Sequence, residues 1–275
     1  MKQPQPDPKN DMACVIDIAV FAYNEAANIS NLIADVAKQT VFARPDVDIR
    51  LLILANGCTD DTVPVAIGAR DKLDASLVRR IEVMNFERGG KSRTMHHFIH
   101  ECSRRNADLL GFMDADIRLP ETDTLERMIE QMLTRPSLQT FTSRPVKDIE
   151  YDSEGSSLIS RVIAAGGGGL SDYRNAICGQ LFMMRSAMAR QIGLPDGLPV
   201  EDGFMRAMML TDLLSAPEDL ERIDGDPEVY HIYESIRGIP ELIRHQTRIV
   251  IGSVVNEVLY TKISQSTSTQ EEAHT

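Results

Sequence analysis

The sequence has no apolar run of the roughly 18 residues that a membrane-spanning helix needs. Its first residues, Met1 to Asp11, are polar, carry three prolines and lack the apolar core of a secretion signal. Basic residues are scarce: 29 Lys and Arg stand against 41 Asp and Glu, a formal charge of −12. So acidic a chain offers no general surface to nucleic-acid backbones, and any phosphate must be met locally. The four cysteines, Cys14, Cys58, Cys102 and Cys178, are widely separated and lack the close pairs of zinc and redox motifs. They are expected to be free thiols in a reducing, cytoplasmic setting.

What is present is material for a core. At 275 residues and 43% apolar content the chain suits one large α/β domain. Residues 1–12 are expected to form a disordered lead, 13–263 the domain, and 264–275, rich in Ser, Thr, Gln and Glu, a disordered tail. Strand-like runs at Val15–Ala22, Arg50–Ala55, Val78–Asn85 and Leu109–Met113 alternate with helix-period segments at Glu25–Gln39, Asp60–Leu73 and Ser92–Arg105. This rhythm predicts parallel strands joined by crossover helices, with a first half at about 13–118 and a second at about 119–263.

Each predicted strand of the first half ends in polar residues. These are Ala22-Tyr23-Asn24-Glu25, then Asn56-Gly57-Cys58-Thr59-Asp60-Asp61, then Arg88-Gly89-Gly90-Lys91, then Asp114-Ala115-Asp116. Four such loops on one edge of a parallel sheet describe a binding crevice. Two carboxylates flanking one small residue repel each other unless a hard divalent cation neutralises them, and such a cation can also hold phosphate oxygens. As a bare triplet, Asp114 and Asp116 would equally serve as turn formers or caps. The glycine-lysine segment lacks P-loop spacing, so it is either a phosphate grip or a turn with a solvated lysine.

In this order the motifs resemble the inverting family 2 glycosyltransferases of the GT-A fold, over roughly residues 15–255. Phe21-Ala22-Tyr23-Asn24-Glu25 is similar to the family's Pro-x-x-Asn-Glu strand end, and Asn56-Gly57-Cys58-Thr59-Asp60-Asp61-Thr62 to its Asp-Gly-Ser-x-Asp-x-Thr loop. Glu87 to Ser92 echoes its Asn-x-Gly-Lys-Gly segment, Asp114-Ala115-Asp116 its Asp-x-Asp, and Glu201-Asp202 its later acidic pair. The family's acidic base-reading residue is replaced by Ala55-Asn56, which passes contacts with the nucleobase to Asn56 or its neighbours. His245-Gln246-Thr247-Arg248-Ile249 stands where processive members carry Gln-x-x-Arg-Trp, and the chain has no Trp at all, which argues against a processive polymer synthase.

The resemblance implies an α/β GT-A domain, Rossmann-like with a mostly parallel sheet between helices. It implies transfer of a hexosyl group from a nucleotide-diphosphate sugar to a glycan, lipid-linked or small-molecule hydroxyl. The donor would meet Ala22, Tyr23, Asn24, Glu25, Asn56, Lys91, Asp114 and Ala115, and Lys91, with Arg88, would add positive charge at the diphosphate. Mg²⁺ or Mn²⁺ would be held chiefly by Asp116, with Asp114 toward the ribose or the metal shell. His231 is either a third ligand or a structural hydrogen-bonding residue.

Asp202 is favoured as catalytic base with Glu201 the close alternative, either of which would otherwise cap the helix beginning there. Gly179 and Gln180, in a strand predicted over Asn175–Met184, border the acceptor, and Gly166–Gly169 forms a loop. From Pro240 an amphipathic helix is expected to pack on the domain, with a homodimer contact or a rest on a membrane surface as its other uses. Two rival functions fit a similar sheet: a sugar-phosphate nucleotidyltransferase and a noncatalytic nucleotide-sugar binder. The first is weakened because Phe21–Asn28 lacks a glycine-rich, Arg-containing turn for a triphosphate.

Overall fold

The computed structural model describes residues 13–151, 172–236 and 238–273, and side chains as far as 265. The predicted Gly166–Gly169 loop lies outside the described residues. Eight strands form one sheet: β1 (Cys14–Ala22), β2 (Val47–Asn56), β3 (Ile81–Phe86), β4 (Leu109–Asp114), β5 (Ile117–Arg118), β6 (Thr140–Lys147), β7 (Leu181–Arg185) and β8 (Ile223–Tyr233). Their order is β3-β2-β1-β4-β7-β6-β8-β5. The chain winds outward from β1 to β3 and then returns to β4 on the other side of β1, all four strands parallel. That reversal leaves a crevice beyond the carboxyl ends of β1 and β4, where Phe21 pairs with Asp114. The β4 to β7 and β7 to β6 pairs are antiparallel, an arrangement that apolar runs alone do not disclose.

Strand alternation sends side chains to two cores. Ile16, Ile18 and Val20 pack with α1 (Ile29–Ala37) and α4 (Thr124–Thr134) on one face; α2 (Thr62–Arg70) lies between β2 and β3 in the chain. Ala19, Phe21, Leu110 and Phe112 pack with α3 (Lys91–His97) and α5 (Glu201–Leu210) on the other. Burial on both faces is why β1 and β4 read as continuous apolar runs. Phe112 stacks on Phe182 at 4.5 Å and meets Phe98 edge-on at 5.4 Å, which braces β4 directly beneath the crevice. At the opposite end of the sheet the buried Asp17 accepts from Arg50 and Arg104 side chains and from the Arg104 amide.

Several elements differ from expectation. The helix predicted to Arg105 stops at His97, followed by one π-helical turn (Phe98–Cys102), and this frees Arg104 to reach Asp17. The strand predicted from Asn175 begins only at Leu181, because Cys178 to Gln180 bend to line the crevice. The helix expected to begin at the acidic pair spans Glu201–Leu210, with both carboxylates in its first turn, and is ended by three left-handed residues, Asp212, Leu213 and Leu214. The C-terminal helix α6 is a single span, Ile239–Ala273, so the segment expected to be a disordered tail is helical as far as Ala273. No proline or glycine follows Gly252 to stop it. Its inner side packs on α5, while Ile239, Ile243, Val250, Ile251, Val254 and Val258 are exposed. Among the described residues no helix is long and apolar enough to cross a membrane.

Candidate active site

Three loops are fastened together beyond the carboxyl ends of β1, β2 and β3. The Asn56 amide donates from Nδ2 to the Ala22 carbonyl at 2.9 Å and accepts from the Gly90 amide at 3.2 Å. Asn24, at φ 57°, accepts from the Thr59 amide, and the Glu25 amide donates to the Thr62 hydroxyl. Gly57, at φ 68°, lies so close to Gly89 that an added Cβ would sit 2.6 Å from its backbone. Asn56 therefore ties β1 to the glycine loop with both ends of its amide. The base-reading role expected for it is left to the hydrogen-bonding capacity that remains and to its neighbours.

The resulting cavity, about 520 Å³, is lined by Phe21, Tyr23, Glu25, Asn56, Gly89, Gly90, Lys91, Asp114, Ala115, Asp116 and Arg248. A second cavity of about 530 Å³ shares Lys91, Asp114, Asp116 and Arg248 and adds Gly179, Gln180, Glu201, Asp202, Tyr233 and His245. Of the expected donor residues, Ala22 is buried and Asn24 lines neither cavity; both act through the backbone fastening. Ala115 is 1% exposed and donates its amide to the Phe21 carbonyl.

The shared wall is a charge cluster. Lys91 Nζ lies 2.6 Å from Asp114 Oδ1, 3.3 Å from Glu201 Oε1 and 3.2 Å from the Gly179 carbonyl. Burial alone would lower the lysine pKa, but Asp114 and Glu201 outweigh it and hold the cation charged. Burial raises Asp114 to about 6 against the pull of Lys91, with Asp116 adding to the rise. Glu25 is pushed to about 7, by burial first and then by Asp116, Asp114 and Asp60, with Asn28 opposing. Asp202 is likewise raised by burial and by Glu201.

The two members of the acidic pair are therefore unlike. Both line the second cavity, but Glu201 is committed to Lys91, whereas Asp202 accepts, among the described residues, only from the next backbone amide, Gly203, at 2.8 Å. The lack of a side chain at Gly179 makes room for it, since a Cβ there would lie 2.8 Å from Asp202 Oδ2.

Could these residues hold a divalent cation? Among the described residues no cluster of three or more His, Cys, Asp or Glu is placed to do so alone. Asp114 and Asp116 supply two hard carboxylates into the same cavities, which suits an ion that completes its shell with phosphate oxygens and water. The expectation for His231 as third ligand is corrected. The ring is 0% exposed and absent from both cavity linings. Its Nδ1 is 3.0 Å from Ser143 Oγ and its Nε2 is 3.1 Å from Gln180 Oε1. Burial lowers its pKa to about 3, so the neutral ring supports Gln180, whose carbonyl in turn accepts from the Asp114 amide.

Sequence reasoning missed Arg248, which α6 brings into both cavities. Its placement rests on Gly252, where a Cβ would lie 2.8 Å from Val200 Cβ, and on Asn256 and Tyr260, which donate to the Val200 and Gly203 carbonyls. The one local signal was that Arg248 matches the Arg of the family's Gln-x-x-Arg-Trp segment.

Comparison with solved structures agrees with this architecture. A mannosyltransferase, PcManGT from Pyrobaculum calidifontis, solved with GDP-Man and Mn²⁺, superposes with a TM-score of 0.64 at 15% identity, covering 95% of this chain and 68% of that one. Glucosyl-3-phosphoglycerate synthase from Mycobacterium tuberculosis, solved with Mg²⁺ and UDP, gives 0.58 at 18% identity, covering 88% and 79%. Staphylococcus aureus TarS (residues 1–349) gives 0.55 at 16% identity, covering 80% and 60%. At such identities the likeness speaks for the fold. No curated protein matches the sequence. The sequence profile of glycosyl transferase family 2, however, matches residues 17–208, well over half of the chain. The chain belongs to glycosyl transferase family 2 and is a glycosyltransferase of the GT-A fold.

Proposed function

We propose that the protein is a divalent-metal-dependent, inverting transferase that moves a hexosyl group from a nucleoside diphosphate to an acceptor hydroxyl. The observation that carries this reading is the pair of cavities that meet at Lys91, Asp114, Asp116 and Arg248, with Asp202 in the second alone. The nucleoside lies along Phe21, Tyr23, Glu25 and Asn56, and the diphosphate at the shared wall. Asp116 with Asp114 would hold Mg²⁺ or Mn²⁺, which would supply charge neutralisation for the leaving diphosphate. Lys91 and Arg248 add fixed positive charge at the same point.

The acceptor enters beside Gly179 and Gln180, and Asp202 takes its hydroxyl proton as the new glycosidic bond forms. Attack from the side opposite the leaving group inverts the anomeric carbon in one displacement. A glycan, a lipid-linked molecule or a small molecule each satisfies this chemistry. Neighbours solved with GDP-Man and Mn²⁺, or with UDP and Mg²⁺, support the donor class and the metal. The family match favours the transferase over the nucleotidyltransferase and the noncatalytic binder.

Calorimetric titration with UDP-glucose, GDP-mannose and a dTDP-sugar, with and without Mn²⁺, tests the reading. One donor is expected to bind at least ~10-fold tighter with the metal. If none of them binds in a metal-dependent way, the reading is wrong.

A further inference from the structure

The first three residues of α3 hold, in reverse order, the loop that delivers the acidic pair. Lys91 Nζ reaches Glu201 at 3.3 Å. Ser92 Oγ, on a residue 2% exposed, accepts from the Leu198 amide at 3.1 Å. Arg93 Nη2 lies 2.6 Å from both carboxylate oxygens of Asp196, and Arg88 adds a further contact to Asp196 at 3.0 Å. Arg93 Nη1 also donates to the Gly89 carbonyl at 2.9 Å, so the same guanidinium spans the glycine loop and the base loop.

Between these fastenings the chain has little freedom. Pro195 and Pro199 fix φ, Gly197 turns at φ 75°, and Leu198, 6% exposed, is an apolar anchor. A loop pinned at 196, 198 and 201 carries Asp202 with it. Displacement of a base by about 1 Å can cost on the order of 10²-fold in rate, so such pinning has catalytic weight.

We infer that Ser92 and Asp196 are positioning residues: through the strap from α3 to the 196–201 loop, the donor-phosphate side of the site sets where the base stands. This rests on the proposed function above for the role of Asp202. The strap makes the glycine loop, the lysine and the base loop one mechanical unit, so leaving group and base are held in a common register.

The test compares S92A, D196A and the conservative D196E with wild type, measuring release of UDP from UDP-glucose and of GDP from GDP-mannose with Mn²⁺. Amide hydrogen exchange across 196–203 is followed in parallel. S92A and D196A are expected to lower kcat ~10-fold with donor KM held to about twofold, and D196E to recover most of the loss. Unchanged kcat, a donor KM that rises in step with the loss, or D196E no better than D196A overturns the strap. Should the wild type release neither nucleotide without an acceptor, metal-dependent donor binding decides the proposed function and exchange alone decides the strap. Faster exchange at Leu198 in S92A and D196A, restored in D196E, supports the strap; wild-type exchange in all three overturns it.

Discussion

The two sides of this site, proposed above as donor side and acceptor side, are built by different means. On the donor side, four consecutive strand ends lie on one edge of a parallel sheet, and short backbone-directed contacts from Asn24, Asn56 and Gly57 fasten them. On the acceptor side, residues distant in the chain are collected by side-chain contacts: Asp202 from α5, Gln180 held by His231, and Arg248 from the C-terminal helix. The first arrangement follows from local order and winding. The second depends on packing that no short segment encodes, and it is correspondingly easier to break without touching nucleotide binding.

The largest expected effect separates the acidic pair. Asp202→Asn should lower sugar transfer or donor hydrolysis by ~10²-fold or more while leaving metal-dependent donor affinity within about twofold. Glu201→Gln should weaken donor binding as well, because Lys91 loses one of its two carboxylate partners. Steady-state kinetics with calorimetry reads both. Equal kcat losses with equal binding losses in the two variants would erase the distinction drawn between them.

A smaller effect probes the helix contact. Gly252→Ala places a methyl against Val200, at the start of the helix that bears Asp202, and should cost about 1–3 kcal/mol in thermal or denaturant unfolding. Reduced turnover should accompany it through Arg248 and Val200. Wild-type stability in this variant would mean that α6 does not approach as described.

The smallest is a pH slope on the donor side. Glu25 has an ordinary value of 4.5 and a folded value of about 7, so between these the folded chain holds a proton that the unfolded chain releases. Stability from this group is therefore greatest at low pH and declines as pH rises from about 4.5 through 7. Melting without metal across that range should show the decline, and Glu25→Gln should flatten it. Because Glu25 is only half-buried, solvent screening keeps the effect modest. An identical slope in the variant would assign it to other groups, Asp114 among them.

Much of the donor half was legible in the sequence because parallel strands buried on both faces are continuous apolar runs and polar residues cluster at their ends. The expected strand ends at Ala22 and Ala55 extend no further than Ala22 and Asn56. His231 could not be placed that way. A histidine in a strand looks the same whether its ring faces a crevice or a core, and only the neighbours Ser143 and Gln180 decide. Helical periodicity alone did not place Arg248 either, since a charged residue in an amphipathic helix ordinarily belongs to the solvent face, and only its match to the Arg of the Gln-x-x-Arg-Trp segment pointed to it.

By itself the sequence determined the parallel βα rhythm, the four polar strand ends, the carboxylates at Asp114 and Asp116 and the candidate pair Glu201-Asp202, because these are properties of short segments. Tertiary structure alone decided that Lys91 joins Asp114 to Glu201, that Asp202 lines the second cavity without that ion pair, and that α6 brings Arg248 to the site. The physical reason is that a charge takes its role from the partners and burial around it, and those are supplied by chain segments far away in sequence.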